Sequence, residues 1–364
     1  MGLTPGEYDD AAVLYTSGTT GPSKGALVSH TYFVFYSWAF THGMGHGPAD
    51  VLFTPLPMFH ANALAVTIFP AVMVGARAVV VSRFSAGRFW HQIADSRATH
   101  FAGMGSMGNV LMRRSPTEFR PDHCLRVCHL VPAPHEHPEF EQRFGVPVMY
   151  ATYGMTEGMV VIPGIDGTHR PGLIGSRHPY HDVAVVNEHD QPVPDGTPGE
   201  LVVRPRIPDI MFRGYLNRPD ATVEAWRNLW FHTGDSVRRD RNGDLWFLGR
   251  LKDTIRRRGE NISAFEVERE ALQCPGVAEA AVVGVPSEVG EDEVLLAVTA
   301  IDGVTLDPAR VHTHCAQRLP RYMVPRYVEV RQELPKNAGQ KVVKNELRDG
   351  GRSPGLWDAE SSVR

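Results

Sequence analysis

Apolar residues in the first half of the chain form short runs separated by longer apolar or aromatic stretches. The short runs have the length of buried strands and the longer stretches that of helices. The predicted strands are Ala11–Tyr15, Val51–Pro57 and Ala78–Ser82, and the predicted helices cover 30–42, 63–74 and 85–97. This alternation predicts an α/β architecture with a mainly parallel sheet.

The pattern changes after about residue 180. Two strands are predicted at Val183–Asn187 and Glu200–Arg204, on either side of a segment rich in Pro, Gly and Asp. An Asn-Gly pair within 240–244, followed by an apolar run, predicts a tight hairpin because this pair tolerates positive φ angles. Residues 180–248 therefore resemble a small antiparallel barrel or sheet.

A third pattern begins after Gly249. Ser263 and Glu266 have capping-box spacing and predict the start of a helix. Strands near 280–285, 293–300 and 326–331, with a helix near 307–318, complete a compact α+β unit over 253–349. Residues 350–364 are rich in Gly, Ser and charge, and we expect a flexible tail.

Composition excludes several classes of protein. The 364 residues are 42% hydrophobic and 21% charged, which predicts a globular chain of two or three units. The formal net charge of −4 gives no reason to expect nucleic acid as a partner. Four cysteines are too few for a disulfide scaffold, and no signal peptide or membrane span is evident. The expectation is a cytoplasmic protein.

A Gly- and hydroxyl-rich segment, Thr16-Ser17-Gly18-Thr19-Thr20-Gly21-Pro22-Ser23-Lys24-Gly25, follows the first predicted strand. Glycines let backbone N–H groups approach a polyphosphate, hydroxyls donate further hydrogen bonds, and Lys24 adds a positive charge. The spacing is not that of a Walker A loop. The segment predicts a nucleotide-phosphate loop, which begins unusually close to Met1.

This loop resembles the signature of the adenylate-forming superfamily, which includes acyl- and aryl-CoA synthetases, luciferases and peptide-synthetase adenylation domains. Further motifs occur in the family's order: Pro57–His60, Tyr153–Glu157, Trp230–Asp235, Gly249–Asp253, Gly259–Asn261 and Pro335–Lys341. The stretch 257–263 is similar to that of crotonobetaine/carnitine-CoA ligases. The resemblance implies an ATP-dependent ligase that forms an acyl-AMP and then an acyl-CoA.

The resemblance also implies a domain organisation. We expect a large AMP-binding domain over 1–248 whose N-terminal part is missing. A hinge at 249–252 that contains Lys252 follows, and then a small mobile domain over 253–349.

The resemblance assigns the nucleotide contacts. It places Tyr153 beside adenine, Thr156 on the α-phosphate and Glu157, with Thr16, on Mg²⁺, a hard cation that prefers oxygen ligands. Asp235 accepts both ribose hydroxyls, and Arg250 adds a second ribose contact.

The remaining assignments concern the acid and CoA. The resemblance implies that Lys341 stabilises charge when the carboxylate attacks the α-phosphate. Lys336 and Lys344 are competitors that the sequence does not exclude. His60 is assigned to the acyl pocket, and Gly259 to the channel for the CoA pantetheine. Gly103–Gly108 is interpreted as a pocket wall or as a turn packed in the core.

Several alternatives remain open. A cluster of His and Cys residues near 123–137 suggests zinc, but its spacing matches no recognised site. Amino-acid adenylation without CoA is the rival activity, although Phe59–Asn62 lacks an aspartate for a substrate ammonium. A nucleotide-binding remnant without turnover is the rival from another class. The sequence does not identify the acid, and a homodimer is compatible with it.

Overall fold

The computed structural model describes residues 6, 9–16, 23–132, 137–149, 152–161, 172–175, 179–257, 260–287, 292–301, 303–337, 341–349 and 356–361. Within these ranges the chain combines a parallel sheet, antiparallel sheets and flanking helices. The predicted α/β class is therefore confirmed.

The strands, numbered along the chain, are β1 Asp10–Thr16, β2 Lys24–Ser29, β3 Val51–Thr54, β4 Arg77–Val80, β5 His100–Met104, β6 Val127–Val131, β7 Val148–Met149, β8 Tyr153–Met155, β9 Gly158–Val161, β10 Leu173–Gly175, β11 His181–Val186, β12 Pro198–Pro205, β13 Gly214–Tyr215, β14 Phe231–Arg239, β15 Leu245–Arg250, β16 Thr254–Arg257, β17 Glu260–Ser263, β18 Val277–Pro286, β19 Asp292–Ala300, β20 Tyr327–Arg331 and β21 Trp357–Asp358. The α-helices are α1 His30–Met44, α2 Phe69–Val74, α3 Ala86–Ser96, α4 Gly105–Met112, α5 His137–Phe144, α6 Pro219–Ala225, α7 Ala264–Ala271, α8 Pro308–Arg318 and α9 Lys344–Asp349.

The first half of the chain contains the predicted parallel sheet. Its strand order is β4-β3-β5-β6-β7, and every neighbouring pair is parallel. All four residues of β3 are buried, as expected for a strand covered on both faces. Phe53, Phe89, Trp90, Phe101 and Phe144 form the centre of the core between this sheet and its helices.

The strand that precedes the predicted phosphate loop differs from the prediction. β1 exists, but of its side chains only Leu14 is buried, and Val13 and Tyr15 are 38% and 67% exposed. The unpredicted β2 pairs with it in antiparallel fashion, and β13 adds a third strand. The prediction of a buried strand was wrong because a hairpin can face solvent on one side. The Gly-rich loop therefore connects two strands of a hairpin.

The helix predicted over 63–74 is divided in two. Residues Ala63–Ile68 form a π-helix, and α2 follows directly. The backbone N–H of Phe69 bonds to Leu64 O, five residues earlier. Pro70 has no N–H to donate to Val66, so a continuous α-helical ladder cannot form across this point.

The predicted antiparallel sheet after residue 180 has the order β10-β15-β14-β12-β11. Glu200 of β12 pairs with Ser236 of β14, whereas Val202 pairs with His232. Leu201 of β12 thus lies opposite three residues of β14, which has two surplus residues; the segment 233–235 is called here the β14 bulge. This bulge contains the predicted ribose residue Asp235.

The C-terminal unit is built on the sheet β18-β19-β20-β21, with α7 and α8 against it. Ser263 accepts a hydrogen bond from the Glu266 N–H, which confirms the predicted helix start. The flexible tail predicted over 350–364 was wrong for Trp357–Asp358, which pair with β20. The Trp357 ring lies 4.9 Å from that of His312, and Asp358 binds Arg326 at 3.2 Å. The prediction relied on the average composition of the segment, which gave no indication that two of its residues pack against the C-terminal unit.

None of the helices in the described ranges is long and apolar enough to cross a membrane.

Candidate active site

Asp235 is the buried centre of the candidate site. It lies in the β14 bulge with 2% of its surface exposed, and it is directly opposite Arg250 of β15. Arg250 Nε lies 2.7 Å from Asp235 Oδ1, and the Tyr153 hydroxyl donates a hydrogen bond to Asp235 Oδ2. Three residues from separate sequence motifs therefore meet at one carboxylate.

Burial acts in the same direction on the pKa values of Asp235 and Tyr153. Burial raises the pKa of Asp235, and the positive charges of Arg250, Lys252 and Lys341 act in the opposite direction. Burial, followed by the charge of Asp235, raises the pKa of Tyr153 well above its usual value. Tyr153 thus remains a neutral donor, and an ionised Asp235 can accept hydrogen bonds from a ligand.

Thr156 and Glu157 form the two-residue turn between β8 and β9. Met155 pairs with Gly158 across this turn, and the Phe212 N–H donates to Glu157 O at 2.8 Å. The hydroxyl of Tyr32 donates to Thr156 O at 3.1 Å. Hydrogen bonds to the carbonyl groups of both residues thus hold the backbone of the turn.

Tyr215 connects Glu157 to the phosphate-loop hairpin. Its hydroxyl donates to Glu157 Oε1 at 2.7 Å, and Lys24 Nζ lies 4.7 Å from the centre of its ring. Lys24 pairs with Thr16 at the end of the β1–β2 ladder. A Cβ at Gly25 would approach Val13 Cγ1 to 2.6 Å, so a larger residue there would force the Val13 side chain to move. The predicted loop residues Ser17, Gly18, Thr19, Thr20 and Gly21, and also Gly259, lie outside the described residues.

Lys341 approaches this group from the C-terminal unit. It lies in a loop closed by a bridge between Lys336 and Val342, and its N–H donates to Asn337 Oδ1 at 3.1 Å. Burial, followed by Arg250, lowers the pKa of Lys341, whereas Glu157 and Asp235 act to raise it. The residue keeps an exposed surface, and the charges that act on it come from Arg250, Glu157 and Asp235.

The two competing lysines have other partners. Lys336 Nζ lies 2.5 Å from Glu279 Oε1, and Lys344 Nζ lies 2.8 Å from Glu268 Oε1. Both pairs belong to the C-terminal unit itself. Among these three lysines, Lys341 is therefore the one whose charge acts on Glu157 and Asp235.

His60 lies near enough to Lys341 for that charge to act on it. Burial, followed by the charge of Lys341, lowers the pKa of His60, so its ring is neutral at pH 7. The histidine immediately precedes the turn that leads into the π-helix. Helices of this type are frequent at functional sites because they displace a side chain from the regular helical position.

Glu157 and Thr16 are the residues that could hold Mg²⁺. Glu157 uses Oε1 for the bond from Tyr215, which leaves Oε2 for a cation. The described residues contain no group of three or more His, Cys, Asp or Glu side chains arranged for a metal. One carboxylate fits Mg²⁺ held mainly by phosphate oxygens and water.

The other sequence candidates have structural roles. His123 Nδ1 accepts from the Leu125 N–H, and burial raises the pKa of the Cys128 thiol, whereas His135 of the same cluster lies outside the described residues. A side chain at Gly103 would approach the Phe101 ring to 2.6 Å, in agreement with its interpretation as part of the core. Arg257 binds Glu293 at 2.6 Å and is buried.

Sequence reasoning missed Tyr32 and Tyr215. Both hydroxyls bind residues of the Thr156–Glu157 turn, from positions 124 and 58 residues away in the chain. Neither tyrosine belongs to one of the motifs identified in the sequence. No local signal distinguishes them from ordinary buried aromatic residues.

Comparison with known proteins identifies the fold. The model of the AMP-binding enzyme family matches residues 4–216, and that of the AMP-binding enzyme C-terminal domain matches 266–341. Crotonobetaine/carnitine–CoA ligases from Salmonella arizonae and Proteus mirabilis are 32% and 33% identical over 95% of this chain. The chain spans about two thirds of their length, 67% and 68% respectively.

Solved structures give the same result. ATP-bound MatB from Rhodopseudomonas palustris is 30% identical with a TM-score of 0.84, over 96% of this chain and 69% of that one. The O-succinylbenzoate coenzyme A synthetase MenE from Bacillus subtilis, in complex with AMP, is 28% identical with a TM-score of 0.80, over 96% and 71%. The chain therefore belongs to the AMP-binding enzyme family.

Proposed function

We propose that the chain is an ATP-dependent acid–CoA ligase that forms an acyl-AMP and then an acyl-CoA. The observation that carries the proposal is the convergence of Lys341, Glu157 and Asp235, which come from separate units of the fold and influence one another's charge. A site with a buried carboxylate, a second carboxylate and a mobile lysine is suited to a nucleotide and a reacting carboxylate. The CoA-ligase relatives agree with this chemistry.

In the proposed complex, Asp235 accepts the ribose hydroxyls and Arg250 holds the orientation of its carboxylate. Tyr153 lies beside the adenine, and its hydroxyl remains bound to Asp235. Thr156 contacts the α-phosphate, and Lys24 with the loop at 16–21 binds the remaining phosphates. These contacts fix the α-phosphorus relative to the incoming carboxylate, which lowers the entropic part of the barrier.

Glu157 would hold Mg²⁺ together with Thr16. When bound, this ion would neutralise charge on the phosphate oxygens. The hydrogen bond from Tyr215 fixes the direction of the Glu157 carboxylate whether or not a cation is present. Lys341 stabilises the negative charge that develops as the carboxylate oxygen attacks and pyrophosphate leaves.

The second step transfers the acyl group to the CoA thiol. We propose that the C-terminal unit, 253–349, turns about the hinge at 249–252, which overlaps the short helical turn Leu251–Asp253. The movement withdraws Lys341 and brings the loop that contains Gly259 to the site. Arg256 is exposed and available to CoA phosphates, whereas Arg257 is bound to Glu293 and is not.

The proposed substrate is a carboxylic acid without an α-amino group. The segment Phe59–Asn62 contributes a neutral His60 and no carboxylate to the pocket. A substrate ammonium would therefore lose its hydration at this segment without gaining an opposite charge. Amino-acid adenylation is disfavoured for this reason.

The experiment is ATP–pyrophosphate exchange by the purified chain with a library of acids, including the proteinogenic amino acids. Acid-dependent exchange followed by formation of a CoA thioester, detected by mass spectrometry, would support the proposal. Exchange with a proteinogenic amino acid and no thioester would favour the rival activity. AMP binding without exchange for any acid would favour a nucleotide-binding remnant.

A further inference from the structure

The backbone around Asp235 is held in an irregular conformation. In the β14 bulge, Gly234 has φ of +70°, a value that side chains disfavour. The Thr233 hydroxyl donates to Leu201 O at 2.7 Å and accepts from the Asp235 N–H at 3.1 Å. A threonine side chain thus replaces ladder bonds that the surplus residues interrupt. Such a segment keeps its shape only if neighbouring groups fix it.

Glu200 supplies the strongest of these neighbouring contacts. Its Oε1 accepts from the Gly234 N–H at 3.0 Å, and its Oε2 lies 2.9 Å from His232 Nδ1. Arg227 Nη2 donates to Oε2 at 3.1 Å. The carboxylate is 9% exposed, and hydrogen bonds to an ionised group in such a setting are stronger than neutral ones.

We infer that Glu200 is a positioning residue for the nucleotide ribose, because it holds Gly234, the residue before Asp235, and so directs that carboxylate toward the site. The inference rests on the proposed function, in which Asp235 binds the ribose hydroxyls. Glu200 itself contacts only the protein. It binds the residues on both sides of Thr233, and the bulge cannot relax toward regular pairing while these bonds persist.

The clamp also explains the choice of a carboxylate at this position. Each oxygen faces donors, since Oε1 meets a backbone N–H and Oε2 meets Arg227. A glutamine in its place could accept from only one side, and its NH₂ group would face a donor. Glu200→Gln should therefore retain the side chain's volume and lose part of the clamp.

The test compares the binding of AMP with that of 2′,3′-dideoxy-AMP by calorimetry, which requires neither an acid substrate nor turnover. If Asp235 binds both hydroxyls, the wild-type protein should prefer AMP by on the order of 100-fold, from two charge-assisted hydrogen bonds. Glu200→Ala should reduce this preference to less than about tenfold, and Glu200→Gln should give an intermediate value. A role in folding alone would change both affinities together and leave their ratio unchanged.

Glu224→Gln is the matched control. Glu224 binds the same Arg227 at 3.1 Å, but its side chain is 75% exposed and, among the described residues, makes no hydrogen bond to β14. This variant should keep the wild-type ratio. A full preference for AMP in folded Glu200→Gln and Glu200→Ala proteins would overturn the inference. An absence of preference in the wild-type protein would instead overturn the ribose role of Asp235.

Discussion

The two sides of the candidate site are held in very different ways. Asp235 is buried and paired with Arg250, and hydrogen bonds to Glu200 and Thr233 hold the backbone around it. Lys341 is exposed, and its loop is tied mainly by Asn337 and one isolated bridge. In the proposed mechanism, the nucleotide side is organised before the ligand arrives, whereas the C-terminal unit delivers the charge that assists the reaction. In this mechanism, nucleotide binding depends on the side with Asp235, and the start of the reaction depends on the side with Lys341.

The largest expected effect comes from removing the positive charge of Lys341. Lys341→Ala should reduce acid-dependent pyrophosphate exchange by roughly 100- to 1,000-fold, in the range found for loss of one stabilising group at a developing anion. AMP binding should change much less, because Asp235 and Arg250 remain. Calorimetry and exchange assays on the same protein would measure both quantities.

Lys336→Ala is the matched control for that variant, since Lys336 lies in the same loop and binds Glu279. It should retain exchange within a few-fold of wild type. An equal loss of exchange in both variants would show that the loop, and not the Lys341 charge, is what matters.

Removing the negative charge of Asp235 should weaken the binding of AMP. Asp235→Asn keeps the shape of the side chain and removes its negative charge, so AMP affinity should fall by about 10- to 100-fold. The measurement is the dissociation constant of AMP. If this variant bound AMP normally and lost only exchange, Asp235 would not be a binding residue, and the proposed difference between the two sides would be wrong.

Acid should destabilise the large unit before it affects the site. His46 and His129 are buried, and no partner for their ring nitrogens is found among the described residues. Burial lowers the pKa of His46 to about 3 and that of His129 to about 4. The unfolded chain therefore binds protons below pH 6.5 that the folded chain does not, and stability falls as the pH decreases through this window. The loss should be about 2 kcal/mol for each histidine between pH 7.5 and 5.

The measurement is the denaturant midpoint of unfolding at the two pH values. His129→Phe, which places a ring beside Phe40, should unfold with a smaller pH dependence than wild type. His314 in the C-terminal unit lies 3.3 Å from Glu270, so His314→Gln is the matched control. An identical pH dependence in wild type and His129→Phe would contradict the assignment.

The smallest expected effect concerns a hydrogen bond between the large unit and the C-terminal unit, which carries Lys341. Arg113 Nη1 of the large unit donates to Ala278 O of the C-terminal unit at 3.1 Å. Arg113→Ala should weaken the arrangement in which Lys341 faces the site and slow exchange about fivefold, the equivalent of one partly exposed hydrogen bond. Arg114→Ala, which loses a pair with Glu118 inside the large unit, serves as the control. A loss of the same size in the control would refute the contact's role.

The sequence predicted the fold well where local pattern and tertiary environment agree. The strand at Val51 and the capping box at Ser263 are examples, because burial and backbone chemistry are both visible in a few residues. The prediction failed where a single residue, or a partner far away in the chain, determines the local structure. Pro70 turned a predicted helix into two, and Trp357 anchored a segment whose composition suggests a flexible tail.

The candidate site divides in the same way. Asp235 and Lys341 could be predicted because their motifs resemble those of a family, although their roles stay predictions until tested. Tyr215 and Glu200 could not, because each acts through a partner far away in the chain. Tyr215 reaches Glu157 from 58 residues away, and Glu200 reaches Gly234 from 34. Periodicity and short motifs carry no information at such separations.

The β14 bulge has a consequence for how this segment can change in length. Buried and partly exposed residues alternate through it without interruption, from Phe231 and Thr233 to Asp235 and Val237. The surplus is an even number of residues, so Phe231 and Val237 point to the same face of the sheet. Removing a single residue would turn Val237 toward the opposite face and disrupt the core. Removing Gly234 and Asp235 together would keep the core side chains on either side inward and eliminate the carboxylate, so the sheet could persist without the site.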